Sequence, residues 1–399
     1  MNVREIVPGV SALGARDFDR RLFDELIPLP DGTSYNAYLV RGNDKVALID
    51  TVDPHKTGVL TAQLESLSHL DFLIIQHVEQ DHSGSAPMVL ARYPNATIIT
   101  TPKAKPMIVD HLHIDPQRIS TVENGQTLSL GGRTLQFIHA PWVHWPETML
   151  TYLKEDKILF SCDFLGSHLA TTELYGREKE RVYEAAKRYY AEIMMPFRAI
   201  IKVHLDKLAR YEIEIVAPSH GPLYDDAGFI LDAYKHWVSD PPANLVVLPY
   251  VSMHGSTQAM VDHLISALAD RGVCIEPFNM TVTDLGRLAT TLVDAATIIF
   301  ATPTLLVGPH PSIVSSAYLV NALRPKLRHA AVIGSYGWAG KSVETIVELT
   351  SKLEVKWLDP VMVKGLPDGA TFDALDRLAE AVATEHQDLE DKPARRLHS

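Results

Sequence analysis

The chain changes rhythm once, at SDPPANL, where Pro241 and Pro242 forbid a continuing helix. Beyond that point five apolar runs, LVVLPY, VCIEPFN, TIIFAT, AAVIGS and VKWLDPVMV, alternate with helical stretches such as TQAMVDHLISALADRG. This alternation predicts a parallel sheet covered on both faces, and five strands suit a flavodoxin-like fold better than a full dinucleotide-binding one. Before that point short β-rich runs dominate, bounded by Gly, Asn, Asp or Pro: TSYNAYLV, KVALIDTV, DFLIIQ, ATIITT, TLSLGG, TLQFIHA, TMLTYL and KILFSCD. Helical patterns interrupt them at KTGVLTAQLESLSHL, at SAPMVLARY and over residues 179–215, the last broken at Pro196. The sequence therefore reads as α/β with an α+β N-terminal half. It divides into residues 1–243, residues 244–386 and a charged tail, 387–399.

A chain of 399 residues exceeds what one hydrophobic core supports, which agrees with two domains. The formal net charge of −12, with no long basic stretch, argues against nucleic acid and leaves small substrates or protein partners. The start, MNVREIVPGVSALG, lacks a positive end followed by an apolar run, and no segment approaches the ~18 consecutive apolar residues of a membrane span. A cytoplasmic location without membrane attachment is the expectation. Two cysteines, Cys162 and Cys274, fall in different domains and read as free thiols in a reducing compartment.

The stretch QHVEQDHSG follows the buried-strand pattern DFLII and crowds four potential metal ligands together: His77, Glu79, Asp81 and His82. Residues two apart in extended backbone point the same way, so His77, Glu79 and Asp81 are expected on one side, with His82 turning in after them. Further donors stand at later strand ends: His144 in APWVHWPET, Asp163 in LFSCDFLGSH and His220 in VAPSHGPL. Other histidines, such as His55, His111 and His204, have surface or helical contexts. Strand alternation turns Cys162 away from Asp163 and out of the ligand set. Three carboxylates, Glu79, Asp81 and Asp163, make the site oxygen-rich, which with imidazole suits redox-active iron better than zinc.

In the second half, VSMHGSTQAM follows the first strand and leads into a helix. Hydroxyls and backbone N–H groups of Ser252, Met253, His254, Gly255, Ser256 and Thr257 are expected to make an anion site there without a lysine, which is how a flavodoxin-like domain would hold the phosphate of FMN. The loops ATPTLLVGPHP and GSYGWAGKS follow the third and fourth strands and would emerge at the same sheet edge. No Gly-x-Gly-x-x-Gly fingerprint is present, which argues against a built-in NAD site.

Residues 1 to about 240 resemble the metallo-β-lactamase fold, an αββα sandwich, and the run HVEQDH, HWPET, CDFLGSH, APSHG resembles the flavodiiron, or A-type flavoprotein, family across nearly the whole chain. The common hydrolase pattern of that fold, His-x-His-x-Asp-His, carries a histidine where Glu79 stands. The resemblance implies one iron on His77, Glu79 and His144, another on Asp81, His82 and His220, and Asp163 bridging them. It implies His168 and one of Tyr189 and Tyr190 near the iron pocket as catalytic groups. It also implies flavin contacts at Thr302, Pro303 and Thr304 and at Ser335, Tyr336, Gly337, Trp338 and Gly340. His254, Ser256 and the pair Leu306-Val307 depart from the family's usual residues. The implied activity is reduction of dioxygen to water or nitric oxide to nitrous oxide. Electrons would come from rubredoxin or a reduced deazaflavin through FMN to two non-haem irons, in a minimal two-domain chain forming a head-to-tail homodimer or a dimer of dimers. A dizinc hydrolase with an attached electron-transfer domain and a non-catalytic electron carrier are the competing readings.

Overall fold

A computed structural model describes residues 3–389; residues 390–399, which hold most of the charged tail, lie outside the described residues. The chain forms two compact units, one running to Tyr190 and resuming at Phe197–Val238, the other comprising Ala191–Pro196 and the chain from Ser239.

Two large sheets and a small two-stranded one, Leu22–Phe23 with Ile27–Pro28, build the first unit among the described residues. One large sheet has seven strands among the described residues, in the order Arg4–Val7, Val10–Asp17, Thr33–Arg41, Val46–Ile49, Phe72–Ile74, Thr97–Thr100 and Ile119–Thr121. The first four are antiparallel to their neighbours and the last three join in parallel. The other large sheet holds Thr127–Ser129, Thr134–His139, Met149–Leu153, Ile158–Cys162 and Ile215–Pro218, antiparallel until its last, parallel pair. Strand alternation explains how KVALID serves two cores at once. Ala47 and Ile49 face the other sheet, packing in one cluster with Phe137, Met149 and Phe160. Val46 and Leu48 face outward, under Leu60, Val89 and Ile108 of the helices Thr57–Gln63, Ala86–Arg92 and Ala104–Leu112. Burial on both faces is why such strands read as continuous apolar runs. The second sheet is also buried at every residue of Met149–Leu153 and Ile158–Cys162, and helices Lys179–Tyr189, Arg198–Leu208 and Ala227–Trp237 each bury an apolar face. The result is the expected αββα sandwich.

The second unit is a parallel sheet in the order Cys274–Asn279, Leu245–Tyr250, Thr297–Leu305, His329–Tyr336, with Lys356–Trp357 and Val361–Lys364 sharing the last position. Numbered along the chain that order is 2-1-3-4-5, the flavodoxin-like one. The expected fifth strand is split because Asp359-Pro360 interrupts it and proline has no N–H for the ladder. Val246, Leu248, Ile299 and Ile333 pack under helices Ser256–Ala269 and Gly369–Glu385.

The long helical stretch expected over 179–215 is shorter. It turns through a π-type segment at Tyr190–Met194 and a 3-10 turn at Met195–Phe197, and ends at Leu208, so that Ile215 begins a strand.

Candidate functional site

Four segments carry the metal-ligand candidates, and each leaves the C-terminal end of a strand: Phe72–Ile74, Thr134–His139, Ile158–Cys162 and Ile215–Pro218. The backbone of HVEQDHS is extended only as far as Glu79 and then coils into a short helix, Gln80–Ser83, whose N-cap is Glu79. Asp81 therefore does not continue the row of His77 and Glu79, as an extended reading had it, because the side-chain period changes from two to about 3.6 residues. Thr51 fixes the new direction, its backbone N–H and hydroxyl both donating to the His82 carbonyl at 2.7 and 2.6 Å. A side chain at Gly84 would strike Pro54 and the Gln80 carbonyl, so glycine ends the turn.

The change of period sorts the donors into two groups. His77, Glu79, His144 and Asp163 have ligand atoms within 4.8 Å of one another, and so do Asp81, His82 and His220. Asp163 joins both. Its Oδ2 lies 3.2 Å from His144 Nε2 and 3.6 Å from His77 Nε2, while its Oδ1 lies 3.0 Å from His82 Nε2 and 3.2 Å from His220 Nε2. Glu79 Oε2 approaches the Nε2 atoms of His77 and His144 at 3.0 and 3.3 Å, and Asp81 Oδ2 approaches that of His220 at 3.1 Å. All seven sequence-derived donors meet here.

Tautomers are set from behind. His77 Nδ1 faces the Glu147 carboxylate at 2.8 Å and His220 Nδ1 faces the Ser34 carbonyl at 2.6 Å. Both partners only accept, so each Nδ1 carries a hydrogen and Nε2 is the nitrogen left facing the carboxylates, free to bind a cation once the cation displaces its proton. Both oxygens of Asp81, both of Asp163 and His82 Nε2 are buried without a hydrogen-bond partner. Such atoms are costly unless a cation satisfies them, so the residues present fit two metal ions. The electrostatics agree. Burial opposes charge on His77, His82, His144 and His220, yet the surrounding carboxylates prevail and hold all four above the ordinary imidazole range, His144 at about 9. Asp163, although buried, is held well below the usual carboxylate range by His82, His144 and His220.

Three supporting groups were not legible in the sequence as part of the site. Glu147, 2% exposed, holds His77 and the Val78 N–H. Asp50 sits at a left-handed φ of 55° and accepts from the backbone and side-chain nitrogens of Gln76, both at 2.9 Å. It also groups with His82 and Cys162. Cys162 does not turn to the opposite face as expected. A strand irregularity after Phe160 and a φ of 54° bring it behind His82, where burial pushes its thiol up. The faint signal for both acids was position alone: Asp50 closes an apolar strand and Glu147 follows His144 by three residues.

His168 lies beside the ligands, its ring 5.0 Å from that of His220 and 4.8 Å from that of Tyr189. Tyr190 is elsewhere. Neighbouring residues on a helix diverge by about 100°, and Tyr190 packs on Tyr234 and Trp237 with its hydroxyl 3.5 Å from the Trp237 carbonyl.

In the second unit three loops gather at the C-terminal edge of the sheet. Gly255, at φ 90°, is the N-cap of the helix Ser256–Ala269 and gives no side-chain cap, while Ser252 Oγ accepts from the N–H groups of Gly255 and Gln258. Thr257 meets Ser335 through their hydroxyls at 3.4 Å, and Thr304 meets Ser342 at 3.1 Å. The open space over Gly255 and Gly337 and the start of Ser256–Ala269, whose cap residue has no side chain, fit a bound phosphate. Met253, His254, Trp338 and Gly340 are exposed, Ser256 and Tyr336 half-buried, and Pro303 buried. Thr302 is wholly buried, its hydroxyl spent on the Pro303 carbonyl and the His310 N–H, so it shapes the second loop from inside. Leu306 and Val307 form the tip of a two-residue hairpin between Leu305 and Gly308, both at positive φ.

Residues 33–221 match the family model described as ODP family beta lactamase. A nitric oxide reductase of Moorella thermoacetica is 31% identical over 95% of this chain and 97% of its own. A type A flavoprotein of Rhodobacter capsulatus is 31% identical over 92% and 88%. The solved structure of rubredoxin oxygen:oxidoreductase from Desulfovibrio gigas superposes with a TM-score of 0.92 at 28% identity, covering 96% of this chain and 98% of that one.

Proposed function

Because the chain belongs to the flavodiiron, or A-type flavoprotein, family, we propose that it is an oxidoreductase that reduces dioxygen to water or nitric oxide to nitrous oxide. The observation that carries this reading is the sharing of Asp163 between two donor groups that hold no cysteine ligand and three carboxylates. His77, Glu79 and His144 would hold one iron, Asp81, His82 and His220 the other, and Asp163 both. Iron supplies reversible one-electron chemistry at that place and FMN supplies the passage from two-electron to one-electron donors. The protein's own part is to bury the donors, set the ligand tautomers through Glu147 and Ser34, and keep His168 and Tyr189 against the pocket. The loops at Ser252–Thr257, Thr302–Thr304 and Ser335–Gly340 would hold FMN.

Residues 1–243 thus act as the diiron domain and residues 244–386 as the FMN domain. The external donor would be rubredoxin or a reduced deazaflavin, and the working form a head-to-tail homodimer.

The test is anaerobic. Protein from iron-replete cells should contain two irons and one FMN per chain, and once fully reduced it should consume dioxygen or nitric oxide with matching flavin oxidation. Stoichiometric zinc together with hydrolysis of a lactone or thioester would replace this reading with the hydrolase one. Bound FMN without metal or gas consumption would leave only an electron carrier.

A further inference from the structure

His168 stands beside the metal pocket without being one of its seven donors. Its Nδ1 lies 2.8 Å from the hydroxyl of Thr33, while Nε2, on the far edge of the ring, is buried without a hydrogen-bond partner among the described residues. Rings of His220, Tyr189 and Phe23 enclose it at 5.0, 4.8 and 4.9 Å. Nδ1 therefore faces a hydroxyl that can both donate and accept, and Nε2 faces no protein partner among the described residues. The nitrogen that carries the ring proton decides what the pocket meets.

Thr33 makes that choice. It is wholly buried at the start of the strand Thr33–Arg41, and its single hydroxyl hydrogen has two possible acceptors: His168 Nδ1 at 2.8 Å and the Ser34 carbonyl at 3.4 Å. The Ser34 carbonyl already receives the His220 Nδ1–H at 2.6 Å, so it loses little when the hydroxyl turns away. The shorter contact takes the hydrogen. His168 Nδ1 is then an acceptor, and the ring's own proton must sit on Nε2. A buried N–H without a partner is costly and persists where a ligand is to receive it.

We propose that Thr33 is a positioning residue whose hydroxyl holds His168 in the Nε2–H tautomer, presenting a fixed hydrogen-bond donor to the oxygen atom of a small molecule bound in the metal pocket. The proposal rests on the metal reading given under Proposed function. It assigns a task to a side chain that is neither a ligand nor in contact with one through its own hydroxyl.

The experiment uses the full chain, labelled with nitrogen-15 histidine and loaded with zinc, which is diamagnetic and accepts these donors. The His168 nitrogens are read by long-range proton–nitrogen correlation. Two zinc ions should bind per chain, and Nε2 should carry the proton in the native protein and in Thr33→Ser. In Thr33→Val the hydroxyl is gone and the two nitrogen shifts should converge as tautomers mix. With iron loaded, turnover should fall about 10- to 100-fold in Thr33→Val and return in Thr33→Ser. A proton on Nδ1 in the native protein, an unchanged spectrum in Thr33→Val, or equal turnover in all three forms overturns the proposal and leaves the metal reading standing. Fewer than two zinc ions per chain overturns the metal reading and the proposal with it.

Discussion

At the scale of single residues, the site shows which roles one-dimensional information can carry. Seven donors could be named because four crowd into one stretch and three more stand at strand ends. Glu147 and Asp50 could not, since their partners His77 and Gln76 lie 70 and 26 positions away and nothing in the local pattern marks the pairing. Tyr189 and Tyr190 were indistinguishable for the same reason: only the helix phase separates the one against His168 from the one against Trp237. Glu147 offers a direct check. Replacing it by Gln keeps an acceptor for the Val78 N–H but removes the negative charge behind His77, making that imidazole a weaker ligand. Affinity for one metal ion should drop about 10- to 100-fold in a chelator competition, with the other little changed. Equal affinity in the variant would reduce Glu147 to a brace for the loop.

Elements that bury both faces were the easiest to read, because Val46–Ile49 and Leu245–Tyr250 are unbroken apolar runs. Val10–Asp17 escaped notice because Gly14 interrupts it. Gly14 sits at a φ of 115° with the Tyr35 carbonyl where a Cβ would stand, which excludes any larger residue. The helix Ala104–Leu112 is masked by Pro106 at its third position, where the N–H that proline lacks would have no intrahelical partner. Hairpin Leu305–Gly308 shows the opposite case, a turn whose residues contradict its geometry. Val307 adopts φ 72°, which a β-branched side chain resists, and its neighbour Leu306 is 90% exposed. Lys341 nonetheless donates its backbone N–H to the Val307 carbonyl at 2.7 Å, tying the hairpin to the Trp338 loop. Val307→Gly should relieve a left-handed strain of about 1–2 kcal/mol against a glycine cost of about 0.5–1 kcal/mol, a net gain of up to about 1.5 kcal/mol. The calorimetric transition that moves with added FMN should rise. A fall would mean that the valine side chain earns its place by packing on something bound there.

For the molecule as a whole, acid sensitivity should differ between the units for stated reasons. In the second unit His386 receives the Thr297 hydroxyl at Nε2 (2.7 Å) and donates from Nδ1 to Asn244 Oδ1 (2.9 Å), whose amide nitrogen is itself committed to the Gly272 carbonyl. Burial first, and then His329 nearby, push it down to about 4. An unfolded histidine titrates near 6.5, so between about 6.5 and 4 the unfolded chain binds the extra proton. Stability from this residue is full above that window and is lost as pH falls through it. The melting temperature of the second unit should decline from pH 7 to pH 5, and His386→Gln should flatten the slope; an unaltered slope would move the acid response to other groups. In the first unit the same strand ends that carry the chemistry are separated along the chain from His77 to His220. Any ion they share is therefore a rivet through two sheets, and stripping it out with a chelator would slacken four loops at once, so that catalyst and fastener are one object.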